Sequence, residues 1–145
     1  MFAALSEAEY ALEKDEVPIG AVVVHKKRII GKGHNQVETL NDPTAHAEML
    51  AITAASNHLN SKVLTECELY VSVEPCLMCS GAIMLSKISR LYFGAFEPKF
   101  GACGSLYNLP QDKKLNHTVE VFSGIYSEES KNLLKTFFDK KRKIS

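Results

Sequence analysis

Glu68-Leu69-Tyr70-Val71-Ser72-Val73-Glu74-Pro75-Cys76-Leu77-Met78-Cys79 reads as a strand that hands over directly to a helix. Residues 68–73 are rich in β-branched and aromatic side chains, and Pro75 suits the first turn of a helix running on through Ile83, Met84 and Leu85. The two cysteines stand at i,i+3 and so share one helix face. A thiolate at a helix N-terminus is stabilised by the positive end of the dipole, so the pair suits metal binding as anions. Taken alone, Cys-x-x-C also fits a thioredoxin-like redox pair or a structural zinc knuckle.

Upstream, Pro18-Ile19-Gly20-Ala21-Val22-Val23-Val24 reads as a buried strand, Lys26, Lys27 and Arg28 as a basic turn, and Ile29 to Gly33 as the returning arm of a hairpin. A first helix is predicted over Phe2 to Lys14, with Phe2, Leu5, Ala8 and Leu12 along one side. Asn41-Asp42-Pro43-Thr44 predicts another helix start, capped by Asp42 or Thr44 and reaching about Ser56. Downstream, Arg90 to Gly94 and Val119 to Phe122 are the fourth and fifth strands, and a last helix starts at Ser127-Glu128-Glu129. The alternation predicts an α/β class, and a 145-residue chain fits one domain over residues 1–145.

At the second predicted helix start stands His46-Ala47-Glu48. With Cys76 and Cys79 it supplies three metal ligands and a carboxylate. A structural zinc site wants four protein ligands, whereas a catalytic one keeps a position open for water or substrate, so the count argues for chemistry. Residues two apart point nearly opposite ways in mid-helix, but a site beyond the helix end is within reach of both. The conjunction of His-x-Glu with Pro-Cys-x-x-C, both at helix starts, argues against a redox pair or a structural knuckle.

That conjunction resembles the signature of the zinc-dependent nucleobase deaminases, in which a zinc-activated hydroxide attacks the amine-bearing ring carbon and a glutamate relays protons. Further stretches narrow the resemblance: Glu16-Val17-Pro18-Ile19-Gly20-Ala21-Val22, Gly33-His34-Asn35, Asn41-Asp42-Pro43-Thr44-Ala45-His46-Ala47-Glu48, Gly101-Ala102-Cys103-Gly104-Ser105-Leu106 and Leu115-Asn116-His117. Over nearly its whole length the chain is similar to the bacterial tRNA-specific adenosine deaminases. The resemblance implies a three-layer α/β/α sandwich around a mixed five-stranded sheet, and hydrolysis of the wobble adenosine of an arginine tRNA to inosine. It implies one zinc per subunit on His46, Cys76 and Cys79, Glu48 as proton shuttle, and a homodimer whose partner helps frame the RNA site. Substrate contacts are implied at Asn35, at the main chain of Ala47, at the loop carrying Glu97 and Lys99, and along the C-terminal helix at Phe137, Lys140, Lys141 and Arg142.

Three positions depart from the family pattern: Glu97 where aspartate is commoner, Phe100 where a smaller residue is usual, and Thr118 where arginine is frequent. A free-base deaminase acting on guanine or cytosine shares the metal motif and can carry the Asp-Pro-Thr-Ala-His-Ala-Glu run. The Gly101 to Leu106 loop and the basic final helix favour RNA, because a free base has no phosphates for Lys140, Lys141 and Arg142 to meet. A catalytically idle zinc subunit has no chemical need for Glu48.

Formal net charge is zero, so no global field draws nucleic acid. Acidic residues crowd the first helix and its end (Glu7, Glu9, Glu13, Asp15, Glu16), and cations crowd the tail, where they also suit the negative end of a helix dipole. Cys67 and Cys103 are expected as packing residues and His25 and His58 as surface groups, with His34 and His117 in reach of substrate. The N-terminus lacks a basic n-region and no apolar run spans a bilayer, so a cytoplasmic protein is predicted.

Overall fold

A computed structural model describes residues 1–144. The chain runs α1 (Phe2–Glu13), β1 (Gly20–His25), β2 (Arg28–His34), α2 (Val37–Leu40), α3 (Ala47–Leu59), β3 (Cys67–Val73), α4 (Leu77–Ser86), β4 (Arg90–Ala95), β5 (Glu120–Phe122) and α5 (Ser127–Ile144). The five strands form one mixed sheet in the order β2-β1-β3-β4-β5. β1 is antiparallel to both β2 and β3, while β3, β4 and β5 run parallel. Lys26 and Lys27 close the β1–β2 hairpin with φ of 49° and 65°, the left-handed pair that a tight hairpin turn demands.

Successive residues of a strand face opposite sides of a sheet, and that alternation separates two helical layers. Gly33 and Gly31 of β2 lie directly under α3, where a Cβ would collide with the carbonyls of Ala47 and Ala51. Ala47, Ala51 and Ala55, four residues apart on α3, are fully buried on these glycines. Ala21 pairs with Gly33, and its neighbour Gly20 faces the other way, under Ala4 and Ala8 of α1. α3 packs with α4 on one side and α1 with α5 on the other, which makes three layers. Between sheet and α3–α4 lies the main core of Leu69, Val71, Ile83, Ile88, Leu91 and Phe93 with the three alanines.

Both ends of α3 differ from the sequence reading, and α4 starts at Leu77 behind its N-cap Cys76, which puts Pro75 ahead of the helix instead of in its first turn. Asn41 to Thr44 does not open α3; a separate short helix, α2, precedes it, and α3 starts at Ala47. The Asp42 carboxylate accepts from Thr44 N and Thr44 Oγ1 at 2.8 and 2.7 Å, closing a turn instead of capping a helix. Asx turns and N-caps use the same residues and the same hydrogen bond, and Pro43 biases Asp42 away from helical geometry. The other end of α3 runs to Leu59 and stops where Asn60 turns left-handed at φ 52°.

Candidate active site

His46 and Cys76 occupy equivalent places in the fold. Each is the N-cap of its helix with extended backbone, φ −79° and ψ 152° for His46 and φ −76° and ψ 179° for Cys76, and neither side chain caps by hydrogen bonding. Because His46 lies outside α3, its two-residue offset from Glu48 does not send the side chains apart. The glycine rail of β2 sets the height of α3, and β3 delivers Cys76 at its C-terminal end, so both helix N-termini meet at the end of the sheet where β2 and β3 finish.

There the Nδ1 of His46 stands 3.6 Å from Cys76 Sγ and 3.5 Å from Cys79 Sγ. All three donor atoms lie within 4.8 Å of one another. A tetrahedral zinc ion, bonded at about 2.0–2.1 Å to nitrogen and about 2.3 Å to sulfur, sets such atoms about 3.6 Å apart. The donors are one imidazole and two sulfurs, a set that zinc prefers, and they leave a fourth position open.

Hydrogen bonding from the Cys79 thiol, aided by the His46 ring, holds the Cys76 thiol down to about 4. The same contact and burial push Cys79 far above the ordinary thiol range. A cation bound by the two sulfurs would displace the proton that Cys79 keeps. His46 is raised by its contact with Cys76. Glu48, 4% exposed, is pushed up to about 7, chiefly by burial. A carboxyl near neutrality can both take and give a proton at physiological pH.

His46, Ala47 and Glu48 form the floor of a cleft of about 610 Å³, within the range of about 300–1,000 Å³ usual for small-ligand sites. Asn35 lines it, and its Oδ1 accepts from Val37 N at 3.3 Å, which leaves the Nδ2 donors for a base. Phe137 and Lys141 of α5 line the cleft as well. The other expected contacts are elsewhere: Lys140 is exposed beyond the lining, Arg142 pairs with Asp139 at 3.3 Å, and Glu97 and Lys99 belong to the loop after β4. There the Glu97 carboxylate accepts from Lys99 N at 3.0 Å. His34 packs edge-on to Tyr10, and His117 Nε2 meets Ile88 O at 2.8 Å, so neither enters the cleft. Cys67 is a core residue, and Cys103 lies buried with its sulfur 3.2 Å from Ser80 Oγ.

Two buried carboxylates escaped the sequence reading. Glu74 accepts from Glu97 N, Cys103 N, Ser105 N and Ser105 Oγ, tying the loop after β4 to the strand end that carries Cys76. Glu16 accepts from Glu38 N at 3.0 Å and from Thr39 N and Oγ1, both at 2.6 Å, and so anchors α2 beside Asn35. Burial raises the Glu16 carboxyl, but the Thr39 and Glu38 donors outweigh it and hold the group below the usual range. For Glu74 the available signal was an acidic residue directly after a buried apolar run, Val73-Glu74-Pro75, where a charge requires donors, whereas Glu16 follows Glu13, Lys14 and Asp15 and carries no such signal.

A family model described as the cytidine and deoxycytidylate deaminase zinc-binding region matches residues 1–95, a span that includes all four site residues. The chain is 50% identical over 139 residues to the tRNA-specific adenosine deaminase of Aquifex aeolicus (strain VF5), covering 96% of this chain and 91% of that protein. A structure solved in studies of A-to-I editing by tRNA:A34 deaminases at the wobble position of transfer RNA matches with a TM-score of 0.89 and 44% identity, over 92% of this chain and 97% of that one. A guanine deaminase from Nitrosomonas europaea matches with a TM-score of 0.79 and 26% identity, over 92% and 80%.

Proposed function

The chain belongs to the tRNA-specific adenosine deaminases of the cytidine and deoxycytidylate deaminase family, and we infer from this that it hydrolyses the wobble adenosine of a tRNA anticodon to inosine. The observation that carries the reading is the meeting of His46, Cys76 and Cys79 at zinc spacing beside the buried Glu48, at the floor of a nucleotide-sized cleft. Zinc held by these three residues supplies a Lewis acid that makes water a nucleophile near neutral pH.

The protein's own groups do the rest. Asn35 and the main chain at Ala47 hold the base with its C6 toward the metal site. Glu48 takes one proton from the attacking water and gives it to N1 of the ring, which lets C6 accept the new C–O bond. It then takes the second proton and delivers it to the departing amine, so the C–N bond breaks, ammonia leaves and a carbonyl remains. An anticodon loop presents its bases already unpaired, which lowers the cost of turning one into the cleft.

A single domain carries this chemistry, and a tRNA substrate puts the enzyme in the cytoplasm. No helix among the described residues is long and apolar enough to cross a membrane. The working unit is a homodimer, a reading supported by the outward face of α4, where Leu77 and Leu85 are 55% and 83% exposed and Gly81 has open space before it.

The fold likeness to a guanine deaminase keeps a free-base substrate as the rival reading. Purified protein offered an adenosine-containing arginine-tRNA anticodon stem-loop, free guanine and free cytosine will convert the stem-loop adenosine to inosine. Ammonia released from guanine with no inosine in the RNA would overturn the assignment.

A further inference from the structure

Asp15 follows the end of α1 in left-handed backbone, φ 62°, with its N–H bonded to Leu12 O at 3.0 Å. Its carboxylate meets Lys141 Nζ of α5 at 2.7 Å, across 126 residues of sequence. Both residues line the cleft that ends at Glu48. The side chains are 42% exposed for Lys141 and 56% for Asp15, so the pair stands at the mouth, open to solvent. The Lys141 ammonium is also 5.5 Å from the centroid of the Phe137 ring, which holds it over the opening.

The charges of the lining make this pair a problem for a polyanion. Asp15, Glu16, Glu38 and Glu48 face the cleft against Lys14 and Lys141, and the Lys14 ammonium rests 5.4 Å from the centre of the Tyr10 ring. Of the two, Lys141 is the one hydrogen-bonded to a carboxylate, so a backbone phosphate that reaches it must take the place of Asp15. A free base brings no phosphate and would enter with the pair intact.

Resting on the tRNA reading above, we propose that Asp15 sets the affinity for RNA at the cleft mouth: it holds Lys141 there and yields it to a phosphate flanking the target nucleotide. Binding exchanges a carboxylate for a phosphate on one ammonium, and Asp15 is the competitor that the RNA displaces. An opposite role, in which Asp15 merely steadies Lys141 for its task, is weaker physically. An exposed pair orders a long side chain only modestly, whereas a carboxylate bonded to the ammonium has to be displaced before a phosphate can take its place.

The test uses the full-length zinc-loaded protein and a fluorescent anticodon stem-loop carrying inosine at the wobble position, which cannot be deaminated again. Dissociation constants are measured at one salt concentration for the wild type, Asp15→Asn, Lys141→Gln and the double variant, with zinc content and melting temperature checked for each. Lys141→Gln is expected to weaken binding, and Asp15→Asn to tighten it by about twofold to fivefold, the range an exposed ion pair supports. In the Lys141→Gln background the Asp15 change is expected to have no effect. Asp15→Asn binding no better than wild type while Lys141→Gln binds worse would overturn the exchange. Equal tightening in both backgrounds would also overturn it, by showing that Asp15 acts as a bare charge. A wild type that ignores the stem-loop would instead sink the tRNA reading itself.

Discussion

A carboxyl that is 4% exposed and pushed from 4.5 to about 7 by burial favours its neutral form in the folded chain. In the metal-stripped protein the folded state therefore binds more protons at Glu48 than the unfolded state does. That contribution to stability is fully present below about pH 4 and is lost as pH rises through about 7. Glu48→Gln keeps the neutral shape at every pH. Chelator-treated Glu48→Gln is expected to be more stable than chelator-treated wild type at pH 8, by of the order of 3 kcal/mol, and to lose that advantage at pH 4. Denaturant titrations at the two pH values measure it, and an equal difference at both would contradict the burial argument. In the zinc-loaded enzyme the role proposed for the same residue is tested by rate. Glu48→Ala should retain one zinc per chain, by elemental analysis, while deamination falls by about 10²- to 10⁴-fold, the usual share of a proton-transfer group. Substantial residual turnover would assign the shuttle to another group.

Among the elements, α3 places two of the four site residues, and its seat on β2 is where fold and chemistry meet. A methyl group at Gly33 would collide with the Ala47 carbonyl, one residue from His46. Gly33→Ala should lift the N-terminus of α3, costing about 1–3 kcal/mol in stability as overpacking does, and should weaken zinc binding in a chelator competition. Gly31→Ala meets Ala51 and Ala55, a turn or more along the helix, so it should cost comparable stability with less loss of zinc. Equal zinc loss in both variants would show that the whole helix moves as one. Much of this architecture was readable beforehand. Apolar runs such as residues 20–24 and 69–73 announce strands by composition, and the ligand motifs announce themselves by spacing. What escaped depended on contacts distant in sequence: the four donors gathered by Glu74, the seat of α2 on Glu16, and the Lys141–Asp15 pair. The start of α3 escaped for a local reason, since Asp42 writes the same signal for a turn as for a cap.

At the scale of the whole molecule, the α4 helix turns Cys79, Ser80, Ile83 and Met84 inward and leaves Leu77, Gly81 and Leu85 on the outside. These three stand four residues apart and form one apolar stripe, and the bare Gly81 lets a second helix approach closely. Leu85 at 83% exposure is a large apolar side chain left in water, and the chain's zero net charge offers no general repulsion between copies. A twofold dimer would bring the same face from both protomers together, as closed symmetry requires. Since α4 also carries Cys79 and begins beside Cys76, such an interface would brace the metal-bearing helix from outside. Sedimentation of the wild type is therefore expected to show a particle of twice the 16.1 kDa chain at micromolar concentration. The double variant Leu77→Glu, Leu85→Glu should sediment as a monomer, because each glutamate would have to be buried unpaired in the interface. It should still bind zinc, whose ligands come from one chain, and it should lose activity on the stem-loop if the partner helps frame the RNA. A wild type that sediments as a monomer would overturn the homodimer, and a double variant that stays dimeric would place the interface elsewhere and leave the α4 stripe without a partner.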